Sequence, residues 1–144
     1  MQELNIETGD ISIQEVEKAQ TKLKNNKAPG PDGSIAELYA WLKDCGQGSL
    51  HHALNENWKK HILVKHENAA NIASLHYKKG DHENPENYRP ISLLNITYKL
   101  MAHIIHERIS CKIDLLLGNN QSGFRKGRST IDPIYCVRSL QDIV

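Results

Sequence analysis

The sequence is poor in cysteine and aromatic residues and has almost no net charge. Its three cysteines lie far apart without a CxxC pair, which argues against a zinc site or a disulfide framework. We therefore expect buried free thiols at Cys45, Cys111 and Cys136. The chain has no apolar run of the roughly 18 residues that a membrane span needs, and MQELNIETGD resembles no secretory or transit signal. These absences predict an intracellular, soluble protein without a membrane partner and leave nucleus and cytoplasm both open.

Motifs for catalysis are missing as well. The chain contains no GxGxxG, no HExxH, no Asp-Asp pair and no Ser/His/Asp arrangement. Gly118 and Gly123 have the spacing of a P-loop, but Phe124 and Arg125 follow them in place of Lys-Ser. The histidines do not converge on one helix face, as metal ligands must. We assign no catalytic residue, no metal ligand and no bound cofactor to this chain.

The apolar patterns predict a helix-rich α+β chain, and its 144 residues suffice for one domain. Residues 1–11 are expected to be a flexible N-terminus and residues 12–144 the domain. A capping box of Ser12 and Glu15 begins the first helix. The expected core stripe of that helix is Ile13, Val16, Ala19 or Gln20, and Leu23.

Four helices, two strands and a short extended piece are expected after the Pro- and Gly-rich connector KAPGPDG. A second helix presents Ile35, Leu38, Tyr39 and Leu42 on one side. A third is expected around 48–58, and strands are expected at 61–64 and 71–77. A short extended piece after Pro90 leads into the longest helix, which ends near Gly118. Its expected core stripe is Tyr98, Met101, Ile105 and Ile109, and a last helix is capped by Ser129 or Thr130.

Basic residues gather in the second part of the chain. Residues 1–57 hold five Lys or Arg against nine Asp or Glu, whereas residues 58–144 hold thirteen against eight. One cluster, Lys78, Lys79 and Arg89, brackets the polar stretch GDHENPEN, which is expected to be a hairpin tip. The other cluster, Arg125, Lys126 and Arg128, precedes a helix N-terminus, where anions bind. By residue type alone, each cluster is either a phosphate site or a solvated loop.

Three motifs in order decide how these loops are interpreted. NNKAPGPDG, YKKGDHENPENYRPISLLNITYKL and QSGFRKGRSTIDPI together resemble the N-terminal part of the reverse transcriptase of a non-LTR (LINE-type) retrotransposon, and the resemblance covers nearly the whole chain. It implies the fingers and the start of the palm of a right-hand polymerase. It also implies an RNA template, a DNA primer and a deoxynucleoside triphosphate as partners, and Mg²⁺ as the metal of the full-length enzyme.

The resemblance also implies roles for individual residues. In the family, the lysine-rich hairpin and the arginine of YRPIS contact the triphosphate, which here are Lys78 or Lys79, and Arg89. The GFRKGRST segment belongs to the template and nucleotide pocket, and the residues concerned are Gln121, Phe124, Arg125, Arg128 and Ser129. The APGPDG motif lies along the template path as a weaker candidate, with residues Pro29, Gly30, Pro31, Asp32 and Gly33.

Two features of the family are not found in these residues. The AFD-like strand and the ADD turn, which carry the metal-binding aspartates, are absent, so the fold is expected to stop before the catalytic palm strands. The chain is therefore interpreted as a fragment of an RNA-directed DNA polymerase. Its alternatives are a non-catalytic nucleic-acid-binding module and a pseudogene product. Without a palm, the long helix is expected to keep an uncovered apolar face.

We predict that these 144 residues alone do not extend a primer, because two-metal nucleotidyl transfer needs carboxylates that they lack. The measurement is a primer-extension assay with the purified chain, an RNA template and Mg²⁺. Incorporation of labelled nucleotide above that of a heat-inactivated sample would contradict the prediction.

Overall fold

The computed structural model describes residues 5–60, 69–118 and 120–142. The element order is α1 (Ile13–Thr21), α2 (Ala36–Cys45), α3 (Gln47–Lys60), β1 (Ala70–His76), β2 (Tyr88–Leu94), α4 (Ile96–Leu116) and α5 (Ile131–Gln141). A short 3-10 turn, Pro85–Asn87, precedes β2. The predicted mixture of helices with a small sheet is confirmed. The strand predicted at 61–64 lies outside the described residues.

The described residues group into two compact units, where the sequence predicts one domain. The first unit is Thr8–His106, and the second comprises the described parts of 1–7 and 107–144. All buried residues of α4 lie between Ile96 and Ile104, and α5 has none. Burial of apolar side chains therefore holds the first unit together, while the second unit leaves most of its apolar side chains exposed.

A single hydrophobic cluster forms the core of the first unit. Its members come from the segment before α1, from α1 to α3 and from the start of α4, and they are Ile11, Val16, Ala19, Ala36, Tyr39, Leu50, Leu54, Ile96, Leu100, Met101 and Ile104. Ile11 belongs to this core although the sequence assigns it to a flexible N-terminus. The packed unit thus begins before residue 12.

The start of α1 confirms the predicted cap and corrects the predicted stripe. Ser12 accepts a hydrogen bond from the Glu15 amide, and the Glu15 carboxylate accepts one from the Ser12 amide at 2.8 Å. Ile11 and Val16 occupy the two positions at which a hydrophobic staple forms, and both are buried. Ile13 was predicted in the core but is 47% exposed. Ile11, which directly precedes the N-cap, is buried with Val16 in place of Ile13.

Side chains of α2 are likewise only partly where the pattern predicts. Tyr39 is buried and Leu42 packs against the core, but Ile35 and Leu38 are exposed. Ala36, which the pattern did not select, is buried. The core face of α2 is thus narrower than the apolar stripe in its sequence.

The predicted core stripe of α4 is confirmed at Met101, which is buried, and Ile105 packs against the core, but the orientation of the stripe is wrong. Tyr98, Ile105 and Ile109 are only half-buried, and the buried face is rotated by roughly a third of a turn at 3.6 residues per turn. That face comprises Ile96, Leu100, Met101 and Ile104. The pattern misled because the first half of α4 is apolar on two sides, and only one side meets the core.

The second apolar side of α4 lines a surface cavity of about 320 Å³. Its lining residues are Tyr98, Met101, Ala102, Ile105 and His106. An incompletely covered apolar face on the long helix is what the sequence predicts. Within the described part of the chain, no helix is both long and apolar enough to span a bilayer.

The three cysteines are exposed, which corrects the prediction of buried thiols. Cys45, Cys111 and Cys136 are all free and at the surface. Cys111 and Cys136 lie on the stretches of α4 and α5 that bury nothing. Cysteine is usually buried because it behaves as a small apolar side chain, but none of the described elements buries these three positions.

Asn55 connects the chain before α1 to α3. Its side-chain oxygen accepts from the Ile11 amide at 2.7 Å, and its side-chain nitrogen donates to the Ile11 carbonyl at 2.9 Å. Asn55 is itself buried. One side chain thus satisfies both backbone groups of a buried residue, which is how the core encloses Ile11 without leaving unpaired polar atoms.

We predict that Leu100→Ala lowers the free energy of unfolding by about 2–5 kcal/mol, because Leu100 is fully buried and the substitution leaves a cavity. Leu115→Ala on the same helix is the matched control. Leu115 is 82% exposed, and its truncation should change the unfolding free energy by less than about 0.5 kcal/mol. Urea denaturation followed by circular dichroism measures both. Equal effects would contradict the assigned core.

Candidate nucleic-acid interface

The basic hairpin is built by strands β1 and β2. They pair antiparallel in a continuous register from Ala70 opposite Leu94 to His76 opposite Tyr88. Beyond the last pair, the Tyr77 amide donates to the Asn87 carbonyl at 2.8 Å, which carries the pairing one residue further. The stretch between them is the hairpin tip predicted from its polar composition. The register places Arg89 opposite Leu75, one residue from the tip.

Arg89 is held beside Tyr77. Its guanidinium lies 6.0 Å from the centre of the Tyr77 ring, at the outer limit of a cation–π contact. Both side chains are exposed. The ring restricts where the guanidinium points, and no side-chain hydrogen bond of Arg89 is found among the described residues.

Lys78 and Lys79 lie at the start of the tip, directly after Tyr77. Lys78 has a left-handed backbone with a φ of 61°, and its amide donates to His76 Nδ1 at 3.1 Å. Non-glycine residues adopt this conformation rarely. Because the backbone turns sharply at Lys78, the chain leaves the direction of β1 at the two lysines. Both are exposed, and no ion pair found among the described residues involves Lys78, Lys79 or Arg89.

The rest of the tip is held by polar and ring contacts. The Asn87 side chain donates to the Asp81 carbonyl at 2.7 Å, and the Tyr88 hydroxyl donates to the His82 carbonyl at 3.0 Å. His82 stacks on His76 with ring centres 4.0 Å apart, and Tyr88 meets the edge of His76. These contacts give the tip a defined shape although nearly all of it is exposed.

The tip also carries three carboxylates, Asp81, Glu83 and Glu86. The Asp81 carboxylate accepts from the Glu83 amide at 3.1 Å, so it caps a local turn. The cations therefore form a positive edge where the strands meet the tip, next to an acidic turn.

The APGPDG loop is anchored on the residue that joins β2 to α4. Asn95 is buried, and its side-chain oxygen accepts from the Asp32 amide at 3.2 Å. Gly30 is buried beside it, and a Cβ added there would lie 2.4 Å from that oxygen and 2.6 Å from the Asn95 amide nitrogen. Glycine is thus required at position 30 by the close approach of two backbones.

The exposed part of the APGPDG loop is a tight turn. The Gly33 amide donates to the Gly30 carbonyl at 3.1 Å, and the Asp32 carboxylate accepts from both the amide and the hydroxyl of Ser34. Pro29, Pro31, Asp32 and Gly33 are at the surface. Asp32 therefore acts as a turn former, as its residue type indicates.

The two motifs of the first unit lie at opposite ends of one strand. Arg89 is the second residue of β2, whereas Asn95 follows its last residue. Six residues of extended chain separate them by roughly 20 Å, at about 3.3 Å per residue. The structure thus joins Lys78, Lys79 and Arg89 in one group and places Pro29–Gly33 away from it.

The QSGFRKGRST loop belongs to the second unit and connects α4 to α5. Phe124 and Gly127 have positive φ angles of 59° and 74°, and the Arg128 amide donates to the Arg125 carbonyl at 3.3 Å. Phe124 and Arg128 are exposed, and Ser129 Oγ accepts from the Ile131 amide at the start of α5. Thr130 is the residue before α5 and makes no side-chain cap bond, so Ser129 performs the capping.

Arg125 differs from the other cations of this loop. Its side chain is 7% exposed and its Nε donates to the Asp114 carboxylate at 2.8 Å. The Arg125 guanidinium holds the pKa of Asp114 below its ordinary value, chiefly through this hydrogen bond, with Arg128 contributing through space. Gln121 also contacts the loop backbone, donating to the Gly123 carbonyl at 3.3 Å.

No cluster of three or more His, Cys, Asp or Glu side chains in the ranges 5–60, 69–118 and 120–142 is arranged to hold a metal ion. The reverse transcriptases that the sequence resembles generally use divalent metals. The donor set found here does not fit such an ion, and we therefore derive no metal-dependent step from these residues.

Three residues that shape these loops were missed in the sequence. Asn95 is a buried residue and is the one polar residue between the segments ISLL and ITYKL. Tyr77 is the residue directly before Lys78 and Lys79. Asp114 is the one carboxylate between Glu107 and Asp132. An isolated polar residue in an apolar run is a signal for a buried hydrogen bond, but its partner cannot be identified without the tertiary structure.

We predict that Gly30→Ala lowers the free energy of unfolding by about 1–3 kcal/mol, because the new methyl group would overlap Asn95 and force the loop away. Gly48→Ala is the matched control. Gly48 has no heavy atom within 4 Å of an added Cβ, and alanine in helix α3 should leave the stability unchanged or raise it by up to ~1 kcal/mol. Urea denaturation measures both, and a neutral Gly30→Ala would contradict the close approach.

Comparison with known proteins connects these loops to one family. Residues 77–143 match the reverse transcriptase (RNA-dependent DNA polymerase) family. This range holds the hairpin tip, β2, α4 and the QSGFRKGRST loop. Lys78, Lys79 and Arg89, which the resemblance implies as phosphate contacts, and the QSGFRKGRST loop thus fall within the matched segment.

Three transposon proteins are similar over most of the chain. The Transposon TX1 uncharacterized 149 kDa protein of Xenopus laevis is 32% identical over 90% of this chain. The probable RNA-directed DNA polymerase from transposon BS of Drosophila melanogaster is 29% identical over 87%. The Retrovirus-related Pol polyprotein from type-1 retrotransposable element R1 of Bradysia coprophila is 28% identical over 90%.

The chain covers only a small part of these relatives, 10%, 14% and 13% of their lengths in the same order. The similarity extends upstream of the matched family segment and takes in the region of the APGPDG loop, since it spans about nine-tenths of the chain. The resemblance to a LINE-type reverse transcriptase is confirmed. Over residues 77–143 the chain is similar to the reverse transcriptase family, and it is similar to a small part of each of these transposon proteins.

Proposed function

We propose that this chain supplies the fingers and the start of the palm of a longer RNA-directed DNA polymerase, where it holds the incoming nucleotide and the template. In the proposed reaction a primer 3′-hydroxyl attacks the α-phosphate of a deoxynucleoside triphosphate, and pyrophosphate leaves. Phosphoryl transfer of this kind depends mainly on positioning and on neutralising charge. The residues described here would contribute those two effects.

The exposed group of Lys78, Lys79 and Arg89 is the observation that carries this proposal. A triphosphate needs several cations at one place, and Arg suits it because the guanidinium fork binds phosphate oxygens in pairs. Tyr77 restrains the Arg89 guanidinium without occupying its donors. The left-handed turn at Lys78 directs the chain out of the strand at the same point. We assign the triphosphate to this edge, with Lys78 and Lys79 both kept as candidates.

Template contacts are proposed for the other two loops. In the QSGFRKGRST loop, the exposed ring of Phe124 is suited to stacking on a base, and Arg128 is suited to a backbone phosphate. Gln121 and Ser129 are proposed to make polar contacts with the same template strand. The APGPDG loop, residues Pro29, Gly30, Pro31, Asp32 and Gly33, is the weaker template contact, because its anchored side faces Asn95 and only its turn is exposed.

We predict that Arg89→Ala weakens binding of a deoxynucleoside triphosphate about tenfold or more, because a charge-assisted hydrogen bond contributes about 1.5–3 kcal/mol. Arg138→Ala is the matched control, since Arg138 is an exposed arginine on α5 outside the proposed site. Isothermal titration calorimetry measures the affinities. A nucleoside without phosphates serves as the ligand control and should not distinguish the two variants. Equal losses for both arginines would refute the triphosphate site.

A further inference from the structure

Arg125 closes the C-terminal end of α4. Its Nε donates to the Asp114 carboxylate at 2.8 Å and its Nη2 donates to the Asp114 carbonyl at 3.1 Å. Its Nη1 lies within hydrogen-bond distance of three further carbonyls, those of Leu117 at 3.4 Å, Gly118 at 2.9 Å and Gln121 at 3.3 Å. The side chain is 7% exposed, so nearly the whole guanidinium is used inside the protein.

These acceptors are the groups that a helix end leaves unpaired. The last carbonyls of an α-helix have no partner within the helix, and they carry the negative end of its dipole. A guanidinium presents five donors in a rigid plane and can serve several such carbonyls together. The sequence indicates Gly118 as the stop of α4, but the polar groups at this end are satisfied by an arginine side chain instead.

The same residue connects the helix end to the turn that follows. The Arg125 carbonyl accepts from the Arg128 amide at 3.3 Å, and Phe124 and Gly127 on either side have left-handed backbones. The Arg125 side chain therefore attaches the turn to the end of α4. Its carbonyl forms the hydrogen bond that closes the turn at Arg128. Lys126 and Arg128, the neighbouring cations, are exposed.

We propose that Arg125 is a positioning residue that, together with Asp114, fixes the Gln121–Ser129 loop on the end of α4, so that Lys126 and Arg128 make the phosphate contacts of this loop. The part that concerns phosphate rests on the proposed function. Direct contact of Arg125 with a nucleic acid would require breaking its pair with Asp114 and its bonds to the helix end. The sequence places Arg125 in the template pocket by motif alone, and neither Asp114 nor Lys126 is among the residues that the resemblance selects.

The clamp is tested first without any nucleic acid. In the wild-type chain the pKa of Asp114 lies below its ordinary value because of the Arg125 hydrogen bond. Arg125→Ala and Arg125→Lys should both raise it toward that value, as followed by carboxyl NMR. Hydrogen exchange of the Arg128 amide should accelerate tenfold or more in both variants, because the turn loses its anchor. An unchanged Asp114 titration and unchanged exchange would overturn the proposal.

The pH dependence has a definite sign. A carboxyl whose pKa is lower in the folded chain stabilises the fold above its ordinary pKa, and the contribution is lost as pH falls through the folded pKa. Asp114→Asn should therefore increase exchange of the Arg128 amide at pH 7, and the effect should disappear as the pH falls through the folded pKa of Asp114. An equal effect at pH 7 and below that pKa would contradict an ionic clamp.

Binding of a single-stranded RNA 20-mer separates positioning from direct contact. If Arg125 positions the loop, Asp114→Asn weakens binding about tenfold, and Arg125→Lys is as weak as Arg125→Ala since lysine keeps the charge but not the fork. If Arg125 contacts phosphate, Asp114→Asn releases it and tightens binding, and lysine preserves affinity. The latter pair of results would overturn the proposal. Asp132→Asn, an exposed carboxylate near the loop, is the control for net charge alone.

Salt dependence assigns the phosphate contacts. The slope of log affinity against log salt reports how many phosphates the protein neutralises. Arg128→Ala and Lys126→Ala should each reduce the steepness of this slope by the amount expected for one phosphate contact. If the wild-type chain binds no RNA while the Asp114 titration and amide exchange change as predicted, the clamp is supported and the proposed nucleic-acid role of this loop is refuted. Unchanged slopes for both variants, with binding intact, would overturn the assignment of the contacts.

Discussion

Burial of the first half of α4 is the constraint on which the first unit depends. Ile96, Leu100, Met101 and Ile104 enter the same hydrophobic cluster as residues of α1, α2 and α3. β2 leads into this helix through the single buried residue Asn95, so the burial of α4 also determines where β2 ends. The hairpin needs this support because two strands with mostly exposed faces are marginal by themselves.

Asn95 carries that constraint to the loops. It is held between a buried helix start and a strand end, and it receives the Asp32 amide while leaving space for a glycine and nothing larger at position 30. One side chain therefore fixes the APGPDG loop relative to β2. From the other end of β2, the cations of the hairpin project into solvent. Both motifs depend on the same strand, which is why a substitution at Gly30 is expected to disturb more than its own turn.

The second unit is organised by polar contacts instead of burial. α5 has no buried residue, and the large apolar side chains Leu115 and Leu116 of α4 are exposed. Its loop is held by the Arg125 fork on the helix end. Hydrogen bonds with little apolar burial give low local stability, so the loop geometry depends strongly on the few residues that form the clamp. The two basic clusters thus have similar composition but differ in exposure. Lys78, Lys79 and Arg89 of the hairpin are exposed, whereas the Arg125 side chain of the loop is buried against the end of α4.

The sequence by itself determined the features whose causes are local. The capping box joins residues three apart, the hairpin follows from strand propensity around a polar tip, and the order of three motifs carries the resemblance to reverse transcriptases. Tertiary structure decided which apolar faces are buried. Ile13 and Leu38 are exposed, the α4 face is rotated, and the cysteines lie at the surface, because each outcome depends on what another element covers. It also decided that Arg125 is bound within the fold, since its partner Asp114 lies eleven residues away on α4 and nothing in the loop motif indicates this pair.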